Sequence, residues 1–394
     1  MTEIKYPVGI QTFSEIITEN YLYVDKTALI YNLVSQSKYV FLSRPRRFGK
    51  SLLVSTLEAY FKGQKELFQN LAISQLESAW TEYLVFRFDL SGEHFNHPDI
   101  LNEHLNGLLD DVEDLYNLDP TTGSVSRRFK LLLRKAYEKF GQRVVILIDE
   151  YDKPLLDCLH DDSVHESMRN QLAAFYSVMK ASDQYIKFVM ITGVSRFSRV
   201  SIFSALNNLD DISMLPEYND ICGISETEFH RYFPESVELF ADKHQLSTEK
   251  VWATFKREYD GYRFAREGEF IYNPYSMLKA FRFKELGHYW FVSGSASFLV
   301  NLVKRHRFLL GDLEGAKRKA SDLNDISTIG NDFVPLLYQA GYLTFKAYDP
   351  DSKEYTLGFP NYEVSEGFWE SLAKYSSSEP TSQPRLVPSP SPGS

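Results

Sequence analysis

The segment Arg44-Pro45-Arg46-Arg47-Phe48-Gly49-Lys50-Ser51 has the residue types and spacing of a loop that cradles a polyphosphate. In such a loop the backbone N–H groups and the N-terminus of the next helix form a concave anion site. Lys50 would then lie along the β- and γ-phosphates of ATP and Ser51 would hold Mg2+, with Leu52 opening the helix. Gly49 lets the backbone approach phosphate oxygens with no side chain in the way. The pattern asks for Gly at its first position and finds Arg44, and Pro45 fixes the next residue. The turn must therefore be built differently, with the positive charge of Arg46 and Arg47 as compensation.

Further along, the apolar run VVILI leads into Asp149-Glu150. A strand-final Asp beside a Glu supplies a Mg2+ ligand, Asp149, and a base that polarises the attacking water, Glu150. The run YIKFVMIT ends on Thr192, a polar residue suited to orienting that water as a sensor. Beyond it Arg196 and Arg199 could reach a γ-phosphate in cis or from a neighbouring subunit. An Arg after a strand is more often an ion-pair partner.

Gly-Lys-Ser triplets are common, so the surrounding elements decide. Lys38 to Ser43 reads as a strand, and Leu52, Leu53, Thr56, Leu57, Tyr60 and Phe61 recur at helical spacing after it. Strands are expected at Tyr83 to Asp89, Arg143 to Ile148 and Tyr185 to Thr192, and helices at Arg127 to Phe140 and Val164 to Ala181. Strands alternating with helices imply right-handed crossovers and a mostly parallel sheet. The fold class is α/β, a P-loop NTPase three-layer sandwich followed by a helical segment and a winged-helix-like α+β unit. The domain reading is an N-terminal segment (1–36), the ATPase core (37–224), a helical domain (225–298), a winged-helix-like domain (299–375) and a disordered Ser/Pro-rich tail (376–394).

With 394 residues, several packed units are expected. The longest apolar runs are strand-length, which excludes a membrane helix, and the N-terminus has no secretory pattern. Two cysteines, Cys158 and Cys222, cannot make a disulfide framework, and the expected compartment is the reducing cytoplasm. A net charge of -10 argues against sequence-independent DNA binding by the whole chain. Two basic runs, Arg127 to Lys139 and Lys304 to Lys319, keep local nucleic-acid contact open.

The stretches YPVGIQTFSEIITENYLYVDKT, FLSRPRRFGKSLLVSTLEAYFKG, VVILIDEYDKPLL and FVMITGVSRFSRVSIFSALNNLDDIS, with EYDGYRF and LLYQAGYLTFKAYD, resemble the bacterial AAA-ATPase-like proteins. In that family the loop itself reads RPRRFGKS, so Arg44 follows the pattern. The loop is also similar to those of archaeal-type ATPases related to STAND regulators. The resemblance implies ATP binding by Lys50 and Ser51, Mg2+ through Asp149 and hydrolysis through Glu150. Many members continue into a PD-(D/E)xK nuclease domain; here a Ser/Pro tail follows instead, so that either the nuclease was lost, the chain was truncated, or it acts through a nuclease or other effector partner. Other readings are a nucleotide-gated adapter and a DNA-associated regulator, both with negligible turnover.

Overall fold

The computed structural model describes residues 4–159, 161–196, 202–203, 206, 208–293, 313–323 and 332–378. Five strands form one sheet: β1 (Tyr39–Ser43), β2 (Val85–Asp89), β3 (Val144–Asp149), β4 (Ile186–Gly193) and β5 (Asp210–Asp211). Their order is β2-β3-β4-β1-β5 and every pairing is parallel. β3 is buried along its whole length, which is why it reads as a continuous apolar run. Parallel strands need crossovers. Helix α3 (Lys50–Phe61) follows β1, α4 (Pro98–Leu115) and α5 (Val125–Phe140) join β2 to β3, and α6 (Lys153–Asp157) and α7 (Asp162–Ala181) join β3 to β4. Two shorter helices, α1 (Phe13–Thr18) and α2 (Thr27–Gln36), precede β1.

The register sorts the side chains into two faces. Phe88 is level with Ile148, and Ile148 with Ile191, so these share one face. There Phe88 meets Phe129 of α5 and Phe175 of α7. Asp149 and Thr192 are one residue further along and point to the other face, where Phe61 of α3 packs on Phe188. The strand ends thus present Asp149 and Thr192 on the side of α3.

Sequence reasoning assigned no element between Asp89 and Arg127, yet α4 spans 18 residues there. Its buried stripe of Leu101, Leu105, Leu109 and Val112 has helical spacing, diluted by the acidic residues of its open face. Ser124 caps α5 and Asp161 caps α7 through their side chains, which starts both helices slightly earlier than the apolar pattern alone.

After the sheet come α8 (Glu226–Tyr232), α9 (Pro234–His244), α10 (Thr248–Tyr259) and α11 (Pro274–Phe283), with the short pair β6 (Ile224–Ser225) and β7 (Ile271–Tyr272). Ser225 and Glu228 form a reciprocal cap at the start of α8. These helices bury their own aromatic cluster, including Phe229, Phe233, Phe255 and Phe281. The C-terminal unit contains α12 (Tyr289–Ser293), β8 (Lys317–Lys319), α13 (Ala320–Leu323), α14 (Val334–Ala340), β9 (Thr344–Asp349), β10 (Glu354–Gly358) and α15 (Tyr362–Ser378). Its sheet is antiparallel in the order β8-β10-β9. Leu337, Phe345, Leu357 and Phe368 belong to the same continuous apolar core as the parallel sheet. Among the described residues no helix is long and apolar enough to cross a membrane. Most of the tail expected to be disordered lies outside the described residues.

Candidate nucleotide site

The loop between β1 and α3 is shaped by two left-handed residues, Arg47 at φ 69° and Gly49 at φ 101°. No heavy atom lies within 4 Å of where a Cβ on Gly49 would sit, so conformation and not space requires glycine there. Gly49 leads directly into α3, so the helix N-terminus faces the loop's hollow. Lys50 is 5% exposed, and its ammonium donates to the carbonyls of Arg44 at 2.9 Å and Pro45 at 3.0 Å. Burial pulls its pKa down, opposed by the nearby carboxylates of Glu150, Asp149 and Asp152.

Arg44 faces away from that hollow. Its buried guanidinium donates to the carbonyls of Ser43, Ser213 and Tyr218 and stacks 4.2 Å from the centroid of Phe264. Burial lowers its pKa to about 10. Phe48 packs edge-on against Tyr262 and Phe264, and Pro45 abuts Gly341 after α14. The loop is therefore held from behind by a buried cation and an aromatic bed, which supply the fixity that a first glycine would not. Arg46 and Arg47 reach the cavity in front, with Arg47 over the Tyr275 ring at 5.0 Å.

At the end of β3, Asp149 is 1% exposed and accepts the Thr192 hydroxyl at 2.5 Å and the Glu150 N–H at 3.1 Å. Glu150 takes the left-handed conformation at φ 53°, rare for a residue with a side chain, and projects into the cavity. Burial raises its pKa, offset in part by Lys50. The chain then turns so that Asp152 is buried, accepting the N–H groups of Val194 at 3.1 Å and Ser195 at 2.6 Å and the Ser195 hydroxyl. Burial raises the pKa of Asp152 as well. Asp152 thereby straps the exit of β3 to the exit of β4. Gly193 has no room for a side chain, because a Cβ would come within 2.5 Å of the Tyr151 ring. Sequence reasoning missed Asp152, although it follows Glu150 by two residues in the run DEYD.

Lys50, Ser51 and Glu150 border a cavity of about 560 Å³, a size suited to a small-molecule cofactor, while Arg44, Pro45, Asp149 and Thr192 lie behind its lining. One wall is the loop from Arg46 to Leu53 with Glu150; another is the N-terminal segment, Pro7 to Gln11 and Leu22 to Val24; a third is Tyr275 and Leu278 of α11. Lys26 also lines it, fixed by Glu228 of α8 at 2.6 Å. The N-terminal wall and α11 had no place in the sequence-based site.

The structure does not bring every candidate to this cavity. Arg196 is buried and pairs with Asp211 of β5 at 3.0 Å, while its N–H donates to Gln339 of α14 at 2.7 Å. Arg199 lies outside the described residues. The basic run on α5 is largely spent within the chain: Arg128 holds Asp110 and Glu113, and Lys135 and Lys139 donate to carbonyls of Asp119 and Asn117. Lys304, Arg305 and Arg307 of the second run lie outside the described residues.

A family model described as Predicted AAA-ATPase matches residues 7–203, half of the chain. The chain is also similar to a protein of Azotobacter chroococcum mcd 1 named Uncharacterized protein in vnfD 5′ region. The two are 38% identical over 391 residues, covering 97% of this chain and 72% of that protein.

Proposed function

The chain belongs to the predicted AAA-ATPase family, and from that premise we propose that it binds Mg-ATP at Arg44 to Leu52 and hydrolyses it. Lys50 exchanges the carbonyls of Arg44 and Pro45 for β- and γ-phosphate oxygens, whose charge reverses the penalty that burial imposes on its ammonium. Ser51 lines the cavity, and Asp149, whose buried carboxylate acts on Lys50 electrostatically, would join it in supplying the hard oxygens that Mg2+ takes. Among the described residues no three His, Cys, Asp or Glu side chains gather into a metal cage, so the other ligands would be phosphate oxygens and water. The metal would neutralise charge building on the transferred phosphoryl group.

Glu150 accepts a proton from the attacking water as the water oxygen bonds to the γ-phosphorus and the bond to the bridging oxygen breaks, giving ADP and inorganic phosphate. Burial raises its pKa, which makes it a stronger base than an exposed carboxylate. Thr192 fixes Asp149 and faces the same side of the sheet. The single observation that carries the reading is this convergence: strand register puts Asp149 and Thr192 side by side under α3, whose first residue is Lys50. The test is phosphate release from ATP by the full chain, with Lys50→Ala and Glu150→Gln beside wild type. Equal release by all three would reject the assignment.

A second reading is a nucleotide-gated adapter with negligible turnover, favoured by the Arg196–Asp211 pair, which holds that arginine within the protein. In both, the nucleotide state controls the helical and winged-helix-like units, which would act on a nuclease, another effector or nucleic acid in the cytoplasm.

A further inference from the structure

Three successive carbonyls of the phosphate loop are held by side chains. Lys50 takes those of Arg44 and Pro45, and the indole N–H of Trp290 takes that of Arg46 at 2.9 Å. In a trans peptide the C=O and the next N–H point in opposite directions, and none of the described peptide bonds is cis. By fixing the Arg46 carbonyl, Trp290 therefore sends the Arg47 N–H the opposite way. Arg46 and Arg47 both line the cavity and Trp290 does not, so Trp290 holds this peptide from outside the ligand space.

Trp290 belongs to the C-terminal unit and is 3% exposed. Its ring packs against Tyr342 at 5.4 Å and beside Gly341, which presses on Pro45 of the same loop. Its own backbone N–H donates to the Glu363 carboxyl of α15 at 2.7 Å and to the Ser276 hydroxyl of α11 at 3.0 Å. Ser276 in turn donates to Glu363 at 2.9 Å. A single side chain thus touches the phosphate loop at one end, and at its base the helical unit and the last helix. With Trp290, Ser276 and Glu363 buried, moving α15 shifts the anchor of Trp290, and losing the indole bond leaves the Arg46 carbonyl without its partner.

We propose that Trp290 is a positioning residue that couples the phosphate loop to the docking of α15, so that the loop conformation receptive to phosphate is the one in which α15 is seated. The proposal rests on the nucleotide-binding reading and adds its regulation. Coupling of two equilibria is reciprocal: if seating α15 raises ATP affinity, ATP must tighten the seating of α15 by the same factor.

The experiment is hydrogen exchange at α15 with and without saturating Mg-ATP, alongside calorimetric ATP affinity, for the wild-type full chain, Lys50→Ala and Trp290→Phe. Phe keeps most of the ring packing and removes the N–H. In wild type ATP should slow exchange across α15, and Lys50→Ala should show no such slowing. Trp290→Phe should bind ATP on the order of tenfold more weakly, the cost of one hydrogen bond. It should also lose the slowing even when saturated, which a residue that merely supports the core would not cause. A wild type that binds no ATP overturns the nucleotide reading and the coupling with it. A wild type that binds ATP while α15 exchange is unchanged overturns the coupling alone and needs no variant. Wild-type affinity and retained slowing in Trp290→Phe would overturn it too.

Discussion

The hydroxyl of Thr192 donates to the Asp149 carboxylate at 2.5 Å, joining the ends of neighbouring strands β4 and β3. A hydrogen bond to a charged acceptor contributes about 1.5–3 kcal/mol. Thr192→Val keeps the shape and removes the donor, so kcat for ATP hydrolysis should fall roughly 10- to 100-fold by that energy. KM should move far less, because the phosphate loop is untouched. A Thr192→Val chain with unchanged kcat would remove Thr192 from the site.

Glu150→Gln should leave ATP binding intact and slow hydrolysis by roughly 10²-fold, the usual share of a positioned base. Glu150→Gly should do something the first variant does not. The left-handed backbone at φ 53° is natural for Gly and strained for Glu, so thermal stability should hold or rise by about 1 kcal/mol while turnover is lost. A clear drop in melting temperature would show that the Glu150 side chain stabilises the fold.

Arg44→Gly restores the residue that the general loop pattern asks for. It should nevertheless weaken ATP binding and cost about 3 kcal/mol or more in denaturant unfolding, because the buried carbonyls of Ser213 and Tyr218 lose their donor. Tighter ATP binding by this variant would mean that Arg44 only occupies a glycine position.

The strands were legible because parallel strands covered on both faces carry long apolar runs, as VVILID does in β3, and the loop because RPRRFGKS lies between such a strand and a helix. Local signals end there. The N-terminal wall of the cavity, Pro7 to Val24, acquires its place by tertiary packing: Phe13, Ile17 and Tyr23 cluster with Leu52, and Leu22 and Val24 pack on the aromatic cluster of the helical unit. Trp290 reads as one more aromatic residue in YWFV; its bond to Arg46 spans 244 residues. Asp152 looks like a surface carboxylate after Glu150 until the turn buries it beneath Val194 and Ser195.

Glu363 makes stability depend on pH in a direction unusual for a carboxylate. Burial raises its pKa to about 8 in the folded protein, against about 4.3 when unfolded. Between those values the folded state binds the extra proton, so the contribution is fully present below the lower value and is lost as pH rises toward 8. Unfolding measurements should show stability falling by up to about 1.4 kcal/mol per pH unit over that window. Glu363→Gln, which keeps an acceptor for Ser276 and Trp290, should flatten the slope and be the more stable chain at pH 8. An unchanged slope would place the proton elsewhere.

Arg196 is engaged by Asp211 within its own chain, so hydrolysis per chain should stay constant across a hundredfold dilution. Mixing Arg196→Ala with Lys50→Ala chains should restore no activity. A specific activity that climbs with concentration, or rescue on mixing, would point to an arginine supplied by a neighbouring copy.

The residues around the cavity run from Pro7 to Ser293, and Trp290, which holds the loop, comes three residues before that end. A chain made on the ribosome emerges N-terminus first. The parallel sheet is complete once β5 has emerged, while the cavity lacks its third wall until α11 and its loop tether until Trp290 have followed. A bound nucleotide stabilises only the state that can bind it, so it cannot assist the sheet while the chain is still being made. The nascent sheet must therefore wait without nucleotide, and also without Leu337, Phe345, Leu357 and Phe368, which complete its apolar core.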